Sequence, residues 1–105
     1  MLKKKYKLSL KSFPKEGVKT IIRNDFLSIK KHFNNKNFNR FGVIISSKYD
    51  KRAVYRNNIR RFIYKNLESV YNDLISGHDF LFIINTTSQN ATALKQTVIK
   101  FIKQL

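Results

Sequence analysis

A chain of 105 residues with 42% hydrophobic content and no cysteine has room for one modest core, is too apolar for wholesale disorder, and can hold neither a disulfide framework nor a thiolate metal site. Its 22 Lys and Arg against 6 Asp and Glu leave +16 at pH 7, a self-repulsion that destabilises a small fold and that a polyanion would offset. No apolar run approaches the roughly 18 residues of a membrane span, and the basic start MLKKKYKLSL lacks the apolar stretch of a signal peptide, so the expected location is the cytoplasm.

In chain order, the first 20 residues carry Pro14 and Gly17, which break any long helix and leave at most a short turn around Phe13. Residues 25–33, DFLSIKKHF, predict a strand with mixed faces, and residues 34–39, NNKNFN, a polar loop. Residues 41–47, FGVIISS, are continuous and β-branched and predict a central strand; with the Asn-rich turn between them, these two strands predict a hairpin. Phe62, Ile63, Leu67, Val70, Tyr71 and Leu74 follow helical spacing, with Ser76-Gly77 as the stop. Residues 80–85, FLFIIN, predict a short buried strand. Leu94, Val98, Phe101, Ile102 and Leu105 recur at three and four and predict an amphipathic C-terminal helix capped by Asn90 or Thr92. The order β(α)-β-β-α-β-α predicts a small α/β (α+β) sandwich with helices on one face of the sheet, a single domain over residues 1–105.

The charge is unevenly placed. Residues 1–65 hold 19 bases and 3 acids, whereas residues 66–105 hold three of each. That asymmetry favours nucleic acid as partner, ahead of an anionic membrane surface and of a merely well-solvated surface. Its densest part is residues 51–67, KRAVYRNNIRRFIYKNL. On a helix, Asn57, Arg61 and Lys65 share one stripe, while Arg56 and Arg60 form a second that continues into Ile63, Leu67, Val70 and Leu74. Two arginines thus occupy positions that would otherwise point inward. Burying them unpaired is costly, so the N-terminal half of this helix is expected to project past the sheet edge. Lys48, Lys51 and Arg52 lie just ahead of the helix N-terminus, where positive charge opposes the dipole. That arrangement weakens an isolated helix but suits an anion site, since the end N–H groups and the forked guanidiniums both match phosphate oxygens. Asn57 can pair with a base edge or a sugar hydroxyl. A solvated charged face is the plainer alternative, against which stand the dipole conflict and the absence of interleaved Glu.

Residues 41–65, FGVIISSKYDKRAVYRNNIRRFIYK, resemble the signature of the protein subunit of bacterial ribonuclease P: a strand ending in Ser47-Lys48, a short loop with Lys51-Arg52-Ala53, then Arg56-Asn57 and Ile59-Arg60-Arg61. The start LKKKYKL, Phe13 followed by Gly17, and Gly77-His78-Asp79-Phe80 before an apolar strand follow in family order; residues 46–61 are the specific part. The resemblance implies an about four-stranded mixed sheet, ribosomal protein S5 domain 2-like, with a left-handed β-α-β crossover through the basic helix. It implies endonucleolytic removal of the 5′ leader of precursor tRNA by a holoenzyme whose RNA subunit carries the active site and which needs Mg²⁺. Lys48, Lys51, Arg52, Arg56, Asn57, Arg60, Arg61 and Lys65 would bind RNA, and Tyr6, Phe13 and Phe26 would line a leader cleft. The implied partners are the catalytic RNA and precursor tRNA, with no membrane and no small-molecule substrate. The chain departs from the family pattern at Asn58, where a third basic residue is common, at Tyr64, where an Arg is usual, at Pro14, which shortens the first helix, and at Ile29, where a cleft aromatic is common.

The chain's own chemistry points the same way. A metal-dependent nuclease needs clustered carboxylates, and Glu16, Asp25, Asp50, Glu68, Asp73 and Asp79 share no local motif. His32 and His78 could form a metal-free acid–base pair, although isolated histidines more commonly sit at surfaces and turns. With only Gly17, Gly42 and Gly77, no Gly-rich phosphate loop exists. No protein catalytic residue and no protein-only metal site are therefore predicted. The alternative functional reading is a general RNA-binding or ribosomal-type module without a catalytic partner.

Overall fold

The strand with the most apolar sequence organises the sheet. In the computed structural model, which describes residues 6–7, 18–71, 74 and 77–105, four strands run as β1 (Lys19–Arg23), β2 (Leu27–Phe33), β3 (Arg40–Ile44) and β4 (His78–Ile84). Two helices follow β3 and β4: α1 (Ala53–Val70) and α2 (Ala91–Ile102), the latter entered through a 3₁₀ turn at Ser88–Asn90. The sheet order is β1-β2-β4-β3. β4 pairs antiparallel with β2, from Leu27↔Ile84 to Phe33↔His78, and parallel with β3, from Arg40↔Asp79 to Ile44↔Ile83. The sheet is therefore mixed, and α1 is the crossover that two parallel neighbours require.

The expected hairpin between the second and third strands does not form, because β4 lies between them. Asp79, Phe80, Leu81 and Phe82 are all buried, and a strand covered on both faces needs a partner on each edge. The Asn-rich loop clamps the start of β4 rather than closing a hairpin. The Asn34 amide donates to Phe38 O (3.1 Å) and to Asp79 Oδ1 (2.8 Å), and Asn39 Oδ1 accepts the His78 N–H at 2.9 Å. β3 is accordingly not central; beyond it, the described residues add only a parallel bridge between Lys7 and Phe41. β1 went unassigned in the sequence. It is a β-branched run, Thr20-Ile21-Ile22, returned onto β2 by Asn24, whose Oδ1 accepts the N–H groups of Phe26 and Leu27 (2.8 and 2.9 Å).

The core lies on one face of the sheet. Leu27, Ile29, Phe41, Val43, Phe80, Phe82 and Ile84 meet Ile59, Ile63, Tyr64 and Leu67 of α1 and Leu94, Val98, Phe101 and Ile102 of α2. Phe41 and Phe80, in register across β3 and β4, stack with ring centres 5.3 Å apart. α1 stops at Val70, short of Leu74, which packs on the core and whose N–H donates to Tyr71 O. The reason is Tyr71. Its hydroxyl accepts the Asn39 N–H (3.2 Å) and donates to Asn39 O (3.1 Å), tying the helix end to the loop before β3. The chain then enters β4 through Gly77 at φ +96°, where a Cβ would also press on Lys36 O at 3.3 Å. Asn90 does stand at the start of α2, but its side chain binds Thr86 Oγ1 (2.9 Å) and makes no cap bond. Phe13, Pro14, Gly17 and Ser76 lie outside the described residues.

Two carboxylates lock this frame. Asp79, 1% exposed, accepts a fork from Arg40 across the β3–β4 pair, Nε to Oδ1 at 2.8 Å and Nη2 to Oδ2 at 2.6 Å. The hydrogen bond to Asp79 raises the Arg40 pKa further, against the opposing effect of burial. At the other end of the sheet, Asp50 joins the loop before α1 to the turn before α2. Its Oδ1 accepts the Arg52 N–H (2.9 Å) and Nε (3.1 Å), and its Oδ2 accepts Arg52 Nη2 (3.0 Å) and Ser88 Oγ (2.8 Å). The Ser88 N–H donates to Tyr49 O at 2.7 Å. Bonds from the Arg52 guanidinium, then from its N–H and from Ser88, hold the Asp50 carboxyl well below the usual carboxylate range.

Arg40→Ala is expected to cost about 3 kcal/mol in urea unfolding, since it leaves a buried carboxylate without its counter-charge. Asp79→Asn is expected to cost less, because the Arg40 side chain is 22% exposed and can turn to water. The depressed pKa of Asp50 means that its stabilising contribution is complete above the ordinary value of about 4 and is lost as pH falls toward the folded value. Thermal melts of wild type should therefore drop more steeply below about pH 4 than those of Asp50→Asn; parallel curves would show that the carboxylate does not hold the loop.

Candidate nucleic-acid interface

α1 begins as a helix without ordinary capping chemistry. Its first turn contains no acid, and Arg52 stands at the N-cap with no side-chain cap bond. No residue of its first six is buried, and the first to enter the core is Ile59. The N-terminal half therefore stands clear of the core, as the burial cost of its arginines required. Further along, Ile59, Ile63, Tyr64 and Leu67 face inward while Asn57, Arg61 and Lys65 line the opposite, exposed stripe.

The eight expected RNA-binding residues all lie on α1 or its lead-in loop, but they divide by what they touch. Lys48, Lys51, Arg61 and Lys65 are exposed, and Arg61 and Lys65 border a shallow groove of about 690 Å³ with Glu68 and Ser69. Arg52 is engaged by Asp50 and lies over the Tyr55 ring, 4.0 Å from its centre. Arg56 turns back and donates through Nη1 to Asp50 O (2.8 Å) and Lys51 O (3.0 Å), fastening the loop to the helix. Arg60 Nη1 donates to Asn57 Oδ1 at 2.8 Å, which turns the Asn57 amide into a fixed, oriented group.

Of the aromatic residues expected in a cleft, Tyr6 and Phe26 are among the described residues. The Tyr6 ring packs 4.5 Å from Tyr71 and 5.7 Å, edge on, from Phe38. Phe26 packs at the margin of the core, and Phe13 is outside the described residues. Ile29 is fully buried in the core, so that position faces the helices and not a cleft. Tyr64 is likewise buried, with Lys7 Nζ 5.2 Å from its ring centre, and burial pushes its hydroxyl pKa up. A concavity that sequence reasoning missed lies on the sheet face turned away from the helices, about 730 Å³, bordered by Arg23, Asn24, Asp25, Ser28, Lys30 and Asn85 among others. Its signal was the alternation of Ser28 and Lys30 with the core residues Leu27 and Ile29.

Hydrolytic chemistry finds little to work with among the described residues. No three His, Asp or Glu side chains come together there, and Asp50 and Asp79 already accept bonds from arginine on both oxygens. His32 stands opposite Asp79 and His78 opposite Phe33, so the two histidines project from opposite faces of the sheet and do not converge as an acid–base pair. No helix among the described residues is long and apolar enough to cross a membrane.

Comparison with known proteins agrees with this geometry. The family model described as Ribonuclease P matches residues 11–105. Two curated relatives named ribonuclease P protein component are those of Clostridium kluyveri, 39% identical over 67 residues (62% of this chain and 59% of that protein), and Buchnera aphidicola, 35% identical over 68 residues (65% and 59%). A third, from Nostoc punctiforme, is 35% identical over 66 residues, covering 63% of this chain and 47% of that one; the matches thus span about half to three-fifths of the relatives' lengths. In fold, the chain is similar to the ribonuclease P protein of Thermotoga maritima, with a TM-score of 0.68, 16% identity and 84% of each chain covered. It is similar also to that of Staphylococcus aureus, with a TM-score of 0.59 and 24% identity over 98% of this chain and 93% of that one. By a match over nearly its whole length, this chain belongs to the ribonuclease P protein family.

Proposed function

We propose that the chain is the protein subunit of a ribonuclease P holoenzyme in the cytoplasm, binding the catalytic RNA through α1 and its lead-in loop and assisting 5′ maturation of precursor tRNA. The observation that carries this reading is the outward stripe of Asn57, Arg61 and Lys65 on a helix whose first turn holds no acid, within a chain of this family. Exposed cations without internal carboxylate partners release counterions when phosphates bind them. In this reading the protein supplies charge neutralisation and orientation, and the RNA subunit acts on the scissile bond. Arg56, Arg52 and Arg60 serve this surface from behind: they hold the loop, the Tyr55 ring and the Asn57 amide in place.

The holoenzyme's Mg²⁺ does not fit a protein-held site among the described residues, since no carboxylate cluster is formed there; in this reading the ion belongs to the RNA. The concavity on the sheet face turned away from the helices, with Arg23 and Lys30 beside Ser28 and Asn85, is the surface on which the 5′ leader would lie. Leader recognition alters substrate preference only if it adds contacts to precursor that mature tRNA does not make.

Reconstitution with a bacterial ribonuclease P RNA at low Mg²⁺ is expected to speed precursor tRNA cleavage. RNA binding without that stimulation would favour the general RNA-binding module. With about six to eight phosphates contacted, log K against log[salt] should slope by about −4 to −7. Arg61→Ala and Lys65→Ala should each flatten the slope by somewhat under ~1 unit, measured by titration at several KCl concentrations. Arg56→Ala should instead lower thermal stability, by about 1 kcal/mol for the lost carbonyl bonds, with a smaller change in slope.

A further inference from the structure

Tyr55 stands in the first turn of α1 yet belongs to no part of the core. It is 42% exposed, and an aromatic residue at such a helix position loses side-chain freedom without the burial that a place in the core would give it. Packing therefore does not explain it. What surrounds it does. One side of the ring is covered by the Arg52 guanidinium at 4.0 Å, and that guanidinium is fixed in plane by its fork onto Asp50 at 3.1 and 3.0 Å. Asp50 is fixed in turn by Ser88 Oγ at 2.8 Å. The stack is thus assembled before any partner arrives, which removes much of the entropy cost of ordering it on binding.

The same ring borders a groove of about 480 Å³ between the start of α1 and the start of α2, shared with Asn58, Gln89 and Lys95. Its one acid, Asp50, is paired with Arg52, so the groove presents no uncompensated negative charge to a polyanion. Two amide side chains supply both donors and acceptors, and Lys95 stands over Phe62, 5.4 Å from its ring centre. An ionic contact is not what Arg52 and Tyr55 offer, because the arginine's charge is already answered. They offer a rigid, amphipathic, flat surface beside a polar slot.

We propose that Tyr55, backed by Arg52 and opening on the groove of Asn58 and Gln89, is a stacking platform for one unpaired nucleobase of the RNA that docks on α1. The proposal rests on the RNA-binding reading above and assigns to this position a contact of a different kind from the phosphate contacts of Arg61 and Lys65. Base–aromatic stacking is independent of ionic strength to first order, whereas phosphate contacts are not.

The test uses the full chain and a folded bacterial ribonuclease P RNA as the probe, titrated at several KCl concentrations, with thermal melts to verify folding. Tyr55→Leu is expected to weaken binding by about 5- to 100-fold while leaving the salt slope at the wild-type value, and Tyr55→Phe should restore affinity to within about 2-fold, since the ring is kept. Wild-type affinity in the Leu variant, a slope flattened as in Arg61→Ala, or equal losses in the Leu and Phe variants would each overturn the platform. If Arg61→Ala and Lys65→Ala lose affinity as expected while Tyr55→Leu does not, only the platform is lost. If wild type fails to bind the RNA at all, the RNA-binding reading falls with it.

Discussion

The insertion of β4 between β2 and β3 is the constraint from which the rest follows. A strand buried on both faces must find hydrogen-bond partners on both edges, and the chain supplies one antiparallel and one parallel neighbour. Parallel neighbours cannot be joined by a turn. The connection from β3 to β4 therefore has to travel the length of the sheet, and α1 is that connection. Its apolar stripe is fixed against the sheet by Ile59, Ile63 and Leu67, which leaves Asn57, Arg61 and Lys65 on the outside. The exposed charge of the helix is thus a consequence of sheet topology as much as of composition. The half-buried Arg40–Asp79 fork and the Asn34 and Asn39 amides hold the first residues of β4 in that slot.

The density of positive charge at the start of α1 calls for a second compensation. A helix whose N-terminus is flanked by Lys48, Lys51 and Arg52 is opposed by its own dipole, and no acid stands in its first turn to relieve it. Relief comes from just outside the helix. Asp50 takes the Arg52 fork, and the carbonyls of Asp50 and Lys51 take Arg56. These bonds do two things at once. They lower the repulsion within the free protein, and they hold side chains and loop in one geometry before a partner binds. The arginines used this way are less available as phosphate ligands, so in the proposed function exposed Lys48, Lys51, Arg61 and Lys65 would carry the larger share of the ionic contact.

Elements defined by their own periodicity were legible from the sequence: the α1 stripe through Ile63 and Leu67, the α2 stripe through Leu94, Val98 and Ile102, and the apolar run of β4. Strand pairing was not, because the residues of β2 and β3 read the same whether they face each other or both face β4. The Asn-rich loop looked like a hairpin turn for the same reason, and only its side-chain bonds to Asp79 and His78 reveal a clamp. β1 is short and mostly exposed, so it carries little hydrophobic signal. At the site, the motif placed all eight candidate residues on one helix and its loop. Which arginines have internal acceptors could not be read, since Asp50 O and Lys51 O are backbone atoms and Ser88 is 38 residues away.

The positions of the two basic surfaces limit how an RNA partner can use them. The Arg61–Lys65 stripe lies on the side of α1 turned away from the sheet, while Arg23 and Lys30 lie on the sheet face turned away from the helices. Sheet and helix layers stand between them, in a molecule only 24 Å across its shortest axis. A single rigid groove of RNA cannot cover both. Either one RNA wraps the molecule, or two strands approach from opposite sides, and the function proposed above requires the second arrangement. In that arrangement the +16 charge would be divided between two partners rather than answered by one.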